Sequence, residues 1–344
     1  MLTKDVLTDM RLWFTASNTP YKTPYKAQLL AVIKPFWCLL VTALILTACS
    51  APPVTAATPK AYTQIKLLSQ FTLPRKVFKE LAISEISGLA WDQDEQLLYV
   101  ISDHGRLFHF KLTVEGDTIQ AVDPVFAAVL VDHKGKPLKL RDSEGLFALN
   151  TNNKKSGDTQ LVVSFEHGPR IIRFTPQGRQ LGAIPINKAL QTAKNYRSPN
   201  SMLESVAYHP KYGFITAPER SLKGQPDKVQ TIYSAQRQWS FPAYPATNSA
   251  VTGLEILPDQ SVLVLERAWS GLFNPMVISL RRVDLNACAK AELCAVQDLG
   301  VYSSLIQIDN FEGLAKFRDN LYLMISDDGD RELLRTQLSL FKVE

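Results

Sequence analysis

The sequence predicts an all-β chain folded as a β-propeller of four-stranded blades, five of them favoured, and three observations carry that prediction. One segment recurs five times at a near-constant spacing, each recurrence holds short β-branched or aromatic runs, and helical periodicity is almost absent. The repeat opens an apolar stretch on a small residue, passes a turn, and closes a second apolar run on an acid. Its copies are ISGLAWDQDEQLLYVISDHG from Ile86, SEGLFALN with LVVSFEHG from Ser143, LESVAYHPKYGFITAPER from Leu203, VTGLEILPDQSVLVLERA from Val251, and FEGLAKFRDNLYLMISDDG from Phe311. The aligned small residues Gly88, Gly145, Ser205, Gly253 and Gly313 stand 57, 60, 48 and 60 residues apart, a mean near 56.

From the amino terminus, residues 65–73 (IKLLSQFTL) form the first predicted strand. Only about 31 residues follow Gly313, room for three strands, so this segment is expected to complete the last blade and remove an open sheet edge. The first repeat predicts strands at 97–101 and 107–112, the second at 161–165 and 170–174, and the third at 213–216 and 231–234. The fourth predicts strands at 262–265 and 276–283, the fifth at 321–325, and residues 187–194 read as an isolated helical turn. Residues 62–344, 283 in all, hold five periods of this length. A sixth blade would need the stretch 253–313 to hide a degenerate repeat, and a pair of β-sandwiches, the competing fold, does not demand the period.

Ahead of this domain, the apolar run 35–48 (PFWCLLVTALILTA) follows Lys34 and ends at Cys49. Its 14 residues fall short of the roughly 20 that span a bilayer as a helix. A positive residue, a short apolar core and small residues before a Cys make a secretory signal. LTAC (46–49) resembles the bacterial lipobox, which implies cleavage before Cys49 and acylation of its thiol; Ser50 in place of Asp then points to the outer membrane of a Gram-negative cell, facing the periplasm. Residues 1–48 are read as leader and signal peptide, with translation expected to begin after Met1, and 49–61, rich in Ala, Pro and Thr, as a flexible tether. In an oxidising compartment Cys288 and Cys294, six apart, are expected to close a disulfide loop in preference to standing as two free thiols.

Composition excludes several classes. With 46% hydrophobic and 21% charged residues the chain is globular rather than disordered. Of the formal charge of +5, residues 1–48 carry five basic and two acidic side chains, which leaves 33 basic against 31 acidic and no basic run to track a phosphate backbone. Nucleic acid is therefore not an expected partner, and the mature chain is expected to be a monomer. Four Cys and five His are too few and too scattered for a zinc-finger array or a haem protein. Nucleophile-elbow, HExxH, phosphate-loop and dinucleotide motifs are missing.

An acid ends the second strand of every repeat: Asp103, Glu166, Glu219, Glu266 and Asp327. Glu144, Glu204 and Glu312 directly precede an aligned small residue, where the first and fourth repeats have Ser87 and Thr252. Equivalent positions in a propeller fall on one circle, so these eight carboxylates are expected at one mouth of the channel. Like charges so placed need a hard cation such as Ca²⁺ or neighbouring basic groups. Basic residues do stand close by: His104, His167, Arg220 and Arg267 each follow an acid, and Arg170 is near. Two explanations stay open at this level: a metal or ligand site, or acids that cap backbone N–H groups and pair with Arg in every blade. In the first, the acids hold metal, Arg170, Arg220 and Arg267 bind a substrate anion, and His104 or His167 moves protons.

The segments EISGLAWD, LLYVISDHG, DSEGLFAL, LVVSFEHGPRI, LESVAYHP and NFEGLAKF together resemble the bacterial phytase-like domain family, named for esterase-like activity of phytase, over roughly residues 80–330. The resemblance implies a secreted or periplasmic propeller that hydrolyses phosphate or carboxylic esters. β-Propeller phytases bind several Ca²⁺ ions through carboxylates, and those ions gather substrate phosphates with Lys and Arg. NFEGL (310–314) is similar to their Asn-Phe-…-Glu-Gly segment, which implies Glu312 as a ligand; their Asp-rich motif is absent here. The alternative is a non-catalytic envelope propeller that binds a ligand or another envelope protein.

Overall fold

A computed structural model describes residues 64–271, 274–288, 293–304, 309–329 and 334–344; the leader, the lipidation at Cys49 and the tether fall outside the described residues. Strand β1 (Ile65–Leu73) is followed by a small hairpin of β2 (Lys76–Phe78) and β3 (Leu81–Ile83). Blade one is β4 (Ile86–Asp92), β5 (Leu97–Ser102), β6 (Arg106–Glu115) and β7 (Thr118–Val129). Blade two is β8 (Ser143–Leu149), β9 (Gln160–Phe165), β10 (Arg170–Phe174) and β11 (Gln180–Ile184). Two 3₁₀ turns, Lys188–Leu190 and Ala193–Asn195, occupy the predicted helical turn. Blade three is β12 (Leu203–His209), β13 (Gly213–Pro218), β14 (Val229–Ser234) and β15 (Gln238–Pro242); blade four is β16 (Ser249–Ile256), β17 (Val262–Ala268), β18 (Met276–Val283) and β19 (Val296–Ser304). In the last blade β20 (Asn310–Arg318), β21 (Leu321–Asp327) and β22 (Thr336–Val343) are completed by β1, which runs antiparallel to β22 from Ile65 opposite Val343 to Leu73 opposite Thr336.

Five four-stranded blades thus close a ring in the way the sequence predicts. The inner strands β4, β8, β12, β16 and β20 each pack on the next, and β20 packs back on β4. Five buried apolar clusters lie among the described residues, one between each pair of successive blades. Blade sheets are therefore covered on both faces, which is why runs such as Leu98, Tyr99, Val100 and Ile101 are apolar without alternation and all buried. Each fully buried Leu, Ile or Phe contributes about 1.5–3 kcal/mol. Cys288 and Cys294 form a disulfide between β18 and β19.

Candidate functional site

The inner strands share one irregularity. In all five, the residue before the aligned small residue is inserted into the ladder as a bulge: the register slips between Ile86 and Gly88, Ser143 and Leu146, Leu203 and Ser205, Val251 and Gly253, and Phe311 and Gly313. A bulge turns a side chain out of the alternation of its strand. Here it turns Ser87, Glu144, Glu204, Thr252 and Glu312 together at the mouth of the channel. The small residue that follows lets adjacent inner strands touch. A Cβ on Gly88 would lie 2.5 Å from the Glu144 carbonyl oxygen, and one on Gly145 would lie 2.7 Å from the Ser205 Cα. The channel is consequently closed at its waist, where the space amounts to about 10 Å³, room for about one water. A cavity of about 600 Å³ at the opposite mouth, walled by Leu89, Trp91, Glu255 and Phe317, does not pass through.

Glu144 is 8% exposed and makes no hydrogen bond or ion pair with the described residues. Burial holds its carboxyl well above the ordinary range, and repulsion from Glu312, Asp142, Glu166 and Asp103 adds to the effect. Glu204 is raised in the same way, by burial first and then by Glu144, Glu219 and Glu166. Burial pushes Glu166 up to about 8, against the opposing hydrogen bond that the Met202 N–H donates to its Oε1. Asp103 rises to about 7 by burial and the neighbouring Glu85, opposed by His104; Glu312 also rises to about 7 by burial, opposed by Arg267. Asp327 is raised by burial although the Gly329 N–H donates to its Oδ1.

Not every predicted acid faces the mouth. Glu266 accepts from Arg281 Nη1 at 2.7 Å, the Tyr244 N–H and the Ser249 hydroxyl, and Arg281 also holds Asp298. Glu266 therefore neutralises a buried guanidinium within its own blade. Glu219 and Glu312 reach the mouth but share Arg267, whose Nη2 lies 3.0 Å from Glu219 Oε1 and whose Nη1 lies 2.6 Å from Glu312 Oε1 and 2.6 Å from Asn310 Oδ1. Arg267 is thus a resident cation on the side of blades three to five, with both Nη groups engaged. Arg170 stacks on Phe165 at 4.2 Å and donates to the carbonyls of His167, Gly168 and Leu140, so it shapes its loop. Arg220 is 40% exposed, 3.8 Å from Glu219 Oε2, and remains open to a ligand.

The two histidines sit in matching clusters of two carboxylates and one imidazole, Glu85–Asp103–His104 and Asp142–Glu166–His167. His104 has both nitrogens engaged, Nε2 with Glu85 at 2.6 Å and Nδ1 with Asp103 at 3.5 Å. His167 binds Asp142 through Nδ1, while its Nε2 has no hydrogen-bond partner among the described residues. Glu85 and Asp142 are additions to the predicted site. Each lies three residues before its aligned glycine, an offset the repeat makes visible, and Asn310 holds that place in blade five. Glu85 also sits at φ 53, in the left-handed region, and its N–H donates to Asp328 Oδ1.

The donor chemistry divides the mouth into two kinds of place. At the throat Glu144, Glu204 and Glu312 offer only carboxylate oxygens, the donors a hard cation such as Ca²⁺ takes, and the unpartnered Glu144 fits such a group. The outer clusters each add an imidazole, a donor better suited to Zn²⁺ or Fe²⁺ than to Ca²⁺.

A five-bladed propeller with carboxylates from four blades gathered at one blind mouth defines the class of this protein. The family model described as "Phytase-like: Esterase-like activity of phytase" matches residues 82–330, and the chain belongs to that family. Among solved structures, the PQQ-bound aldose sugar dehydrogenase from Streptomyces coelicolor is 13% identical, with 81% of this chain and 98% of that chain covered and a TM-score of 0.40. The β-propeller domain of Myceliophteria thermophila Cps50 (Swd1) is 10% identical, with 75% of this chain and 84% of that chain covered and a TM-score of 0.36. No curated protein matches the chain.

Proposed function

We propose that this chain is an ester hydrolase that works with a divalent cation, Ca²⁺ first among them, on a phosphate or carboxylic ester at the acidic mouth. It would act as a monomer anchored through lipidated Cys49 to the outer membrane, facing the periplasm, as the lipobox-like LTAC segment implies. Glu144 carries the proposal: a carboxylate 8% exposed, facing other carboxylates and lacking any partner among the described residues, is costly unless a cation meets it. Family membership supports ester cleavage as the reaction class.

A bound divalent cation supplies Lewis-acid polarisation of the ester oxygen. Glu144, Glu204, Glu312 and Glu166 are the residues that would hold it. Arg267 fixes Glu219 and Glu312, and Arg220 offers an open guanidinium to the substrate anion. Asp142 orients His167 through Nδ1, which leaves Nε2 to take a proton and return it.

The test is turnover of phytate, p-nitrophenyl phosphate, a phosphodiester and short acyl esters, with Ca²⁺ and with a chelator. Calcium-dependent turnover of one of them, lost in Glu144→Gln and Glu204→Gln proteins that still fold, is the expected result. Turnover indifferent to the chelator and to both substitutions overturns it. A second reading, a non-catalytic propeller that binds an envelope component, is favoured by the Arg267 and Arg281 pairings of Glu219, Glu312 and Glu266. It predicts no turnover and no effect of Ca²⁺ on thermal stability.

A further inference from the structure

Beside the acidic mouth, between blades three and four, lies a cavity of about 750 Å³, a size that takes a small organic molecule. Arg220 joins the two places, since it stands next to Glu219 and its Nη1 donates to Asn248 Oδ1 on the cavity wall at 3.4 Å. Three features of the lining are chemically specific. Arg197, Arg220 and Lys228 all line it against one acid, Asp227, and that acid is paired with Arg197. Lys228 makes no ion pair among the described residues, so positive charge is in excess. Gln230, also in the lining, is 1% exposed; its amide N–H groups go to the carbonyls of Glu219 and Ser249, and its Oε1 is buried with no partner among the described residues. Gln230 thereby ties β14 to the start of β16 and fixes the wall, its oxygen closed off from the cavity itself. The remaining wall, 242–246 (PAYPA), is apolar, which a bare inorganic anion would not use.

We infer that this cavity binds a small organic oxyanion with an apolar body, an aryl or short-acyl carboxylate or phosphate, its charge on Arg220 and Lys228 and its body on the 242–246 wall. The inference goes beyond the hydrolase proposal and requires neither a cation at the throat nor catalysis.

Isothermal titration in a chelator tests it, because the acidic mouth without a cation repels anions and adds no binding of its own. The probes are phenyl phosphate, 4-hydroxybenzoate and inorganic phosphate. At least one organic anion is expected to bind about tenfold or more tighter than inorganic phosphate, and the stronger of the two identifies the oxyanion. Arg220→Gln, and Thr247→Trp, which fills the cavity, are each expected to weaken that binding about tenfold. Should Arg220→Gln fail to fold, Lys228→Ala at an exposed position replaces it with the same expectation. The inference is overturned by the absence of binding for both organic anions, by equal affinity for inorganic phosphate, or by undiminished affinity in the folded variants.

Discussion

Carboxylates whose burial and crowding outweigh their basic partners make stability depend on pH in an inverted direction. Asp103 and Glu312 are pushed up to about 7 and Glu166 to about 8, from ordinary values of 3.8 for Asp and 4.5 for Glu. Unfolding restores the ordinary values, so between those limits the folded chain holds more protons than the unfolded one. The stability these groups contribute is complete at low pH, below their unfolded values, and is lost as pH rises through 7 to 8. In a chelator the unfolding midpoint is expected to fall by about 5 °C or more between pH 5 and pH 8.5. Added Ca²⁺ is expected to recover most of that loss at pH 8.5 and little at pH 5. A midpoint that climbs over this range would show the acids to be fully compensated. Glu144 and Glu266 sharpen the contrast, because both are buried glutamates that recur in the repeat. Glu144→Gln removes an unpartnered charge and is expected to raise the midpoint at pH 8 in chelator by about 2–4 °C. Glu266→Gln leaves the buried Arg281 with Asp298 as its remaining carboxylate, and is expected to cost about 3 kcal/mol. Urea unfolding of the two proteins side by side settles whether the signs are opposite.

At the scale of the strand, the position of each acid depends on a bulge and a contact between blades. Gly145 has the Ser205 Cα and Val206 N each 2.7 Å from where its Cβ would be, both backbone atoms that cannot swing aside. Gly145→Ala is therefore expected to cost about 2–3 kcal/mol and to weaken any cation binding with it, whereas alanine at Gly116, where nothing lies within 4 Å, meets no clash and disturbs only its φ of 59. Denaturation midpoints with and without Ca²⁺ check both. The strands themselves were legible because both faces of each blade are buried: the runs at 65–73 and 276–283 match β1 and β18 end to end. The five aligned small residues were legible for the same steric reason that makes Gly145 intolerant. The bulge was not, since one inserted residue leaves no gap in an apolar pattern already lacking alternation. Nor was the fate of Glu266 legible, because it is decided by Arg281 on the neighbouring strand, at an offset the other repeats do not share. Glu85 and Asp142 were within reach, at a fixed distance before Gly88 and Gly145, although neither stands at the end of a strand.

The mouth exists only as a property of the closed ring. Glu85 and Asp103 come from blade one, Asp142, Glu144 and Glu166 from blade two, Glu204 and Glu219 from blade three, and Glu312 and Asp327 from blade five, so an open ring scatters them. Closure rests on β1 and β22, joined across the chain by contacts such as the Gln70 amide to the Ser339 hydroxyl, 269 residues apart. So distant a pairing forms late, after the blades it must bring into register. Smaller latches between blades help, among them His109 Nε2 at 2.7 Å from the Pro176 carbonyl and His209 Nε2 at 2.9 Å from the Gln260 carbonyl. A cation that binds the folded ring alone stabilises it by mass action, which couples the site to the seam. A chain lacking residues 64–73 exposes the edge of β22 and the apolar surface that Ile65 and Leu73 bury. It is expected to lose its cooperative thermal transition, to run as aggregate in size-exclusion chromatography, and to show no gain in stability from Ca²⁺. A peptide of residues 64–73 added in trans should restore the transition and the calcium response together, because both depend on the same closure. Recovery of one without the other, or a truncated chain that still melts cooperatively and still responds to Ca²⁺, separates the site from the seam and places the cation within a single blade.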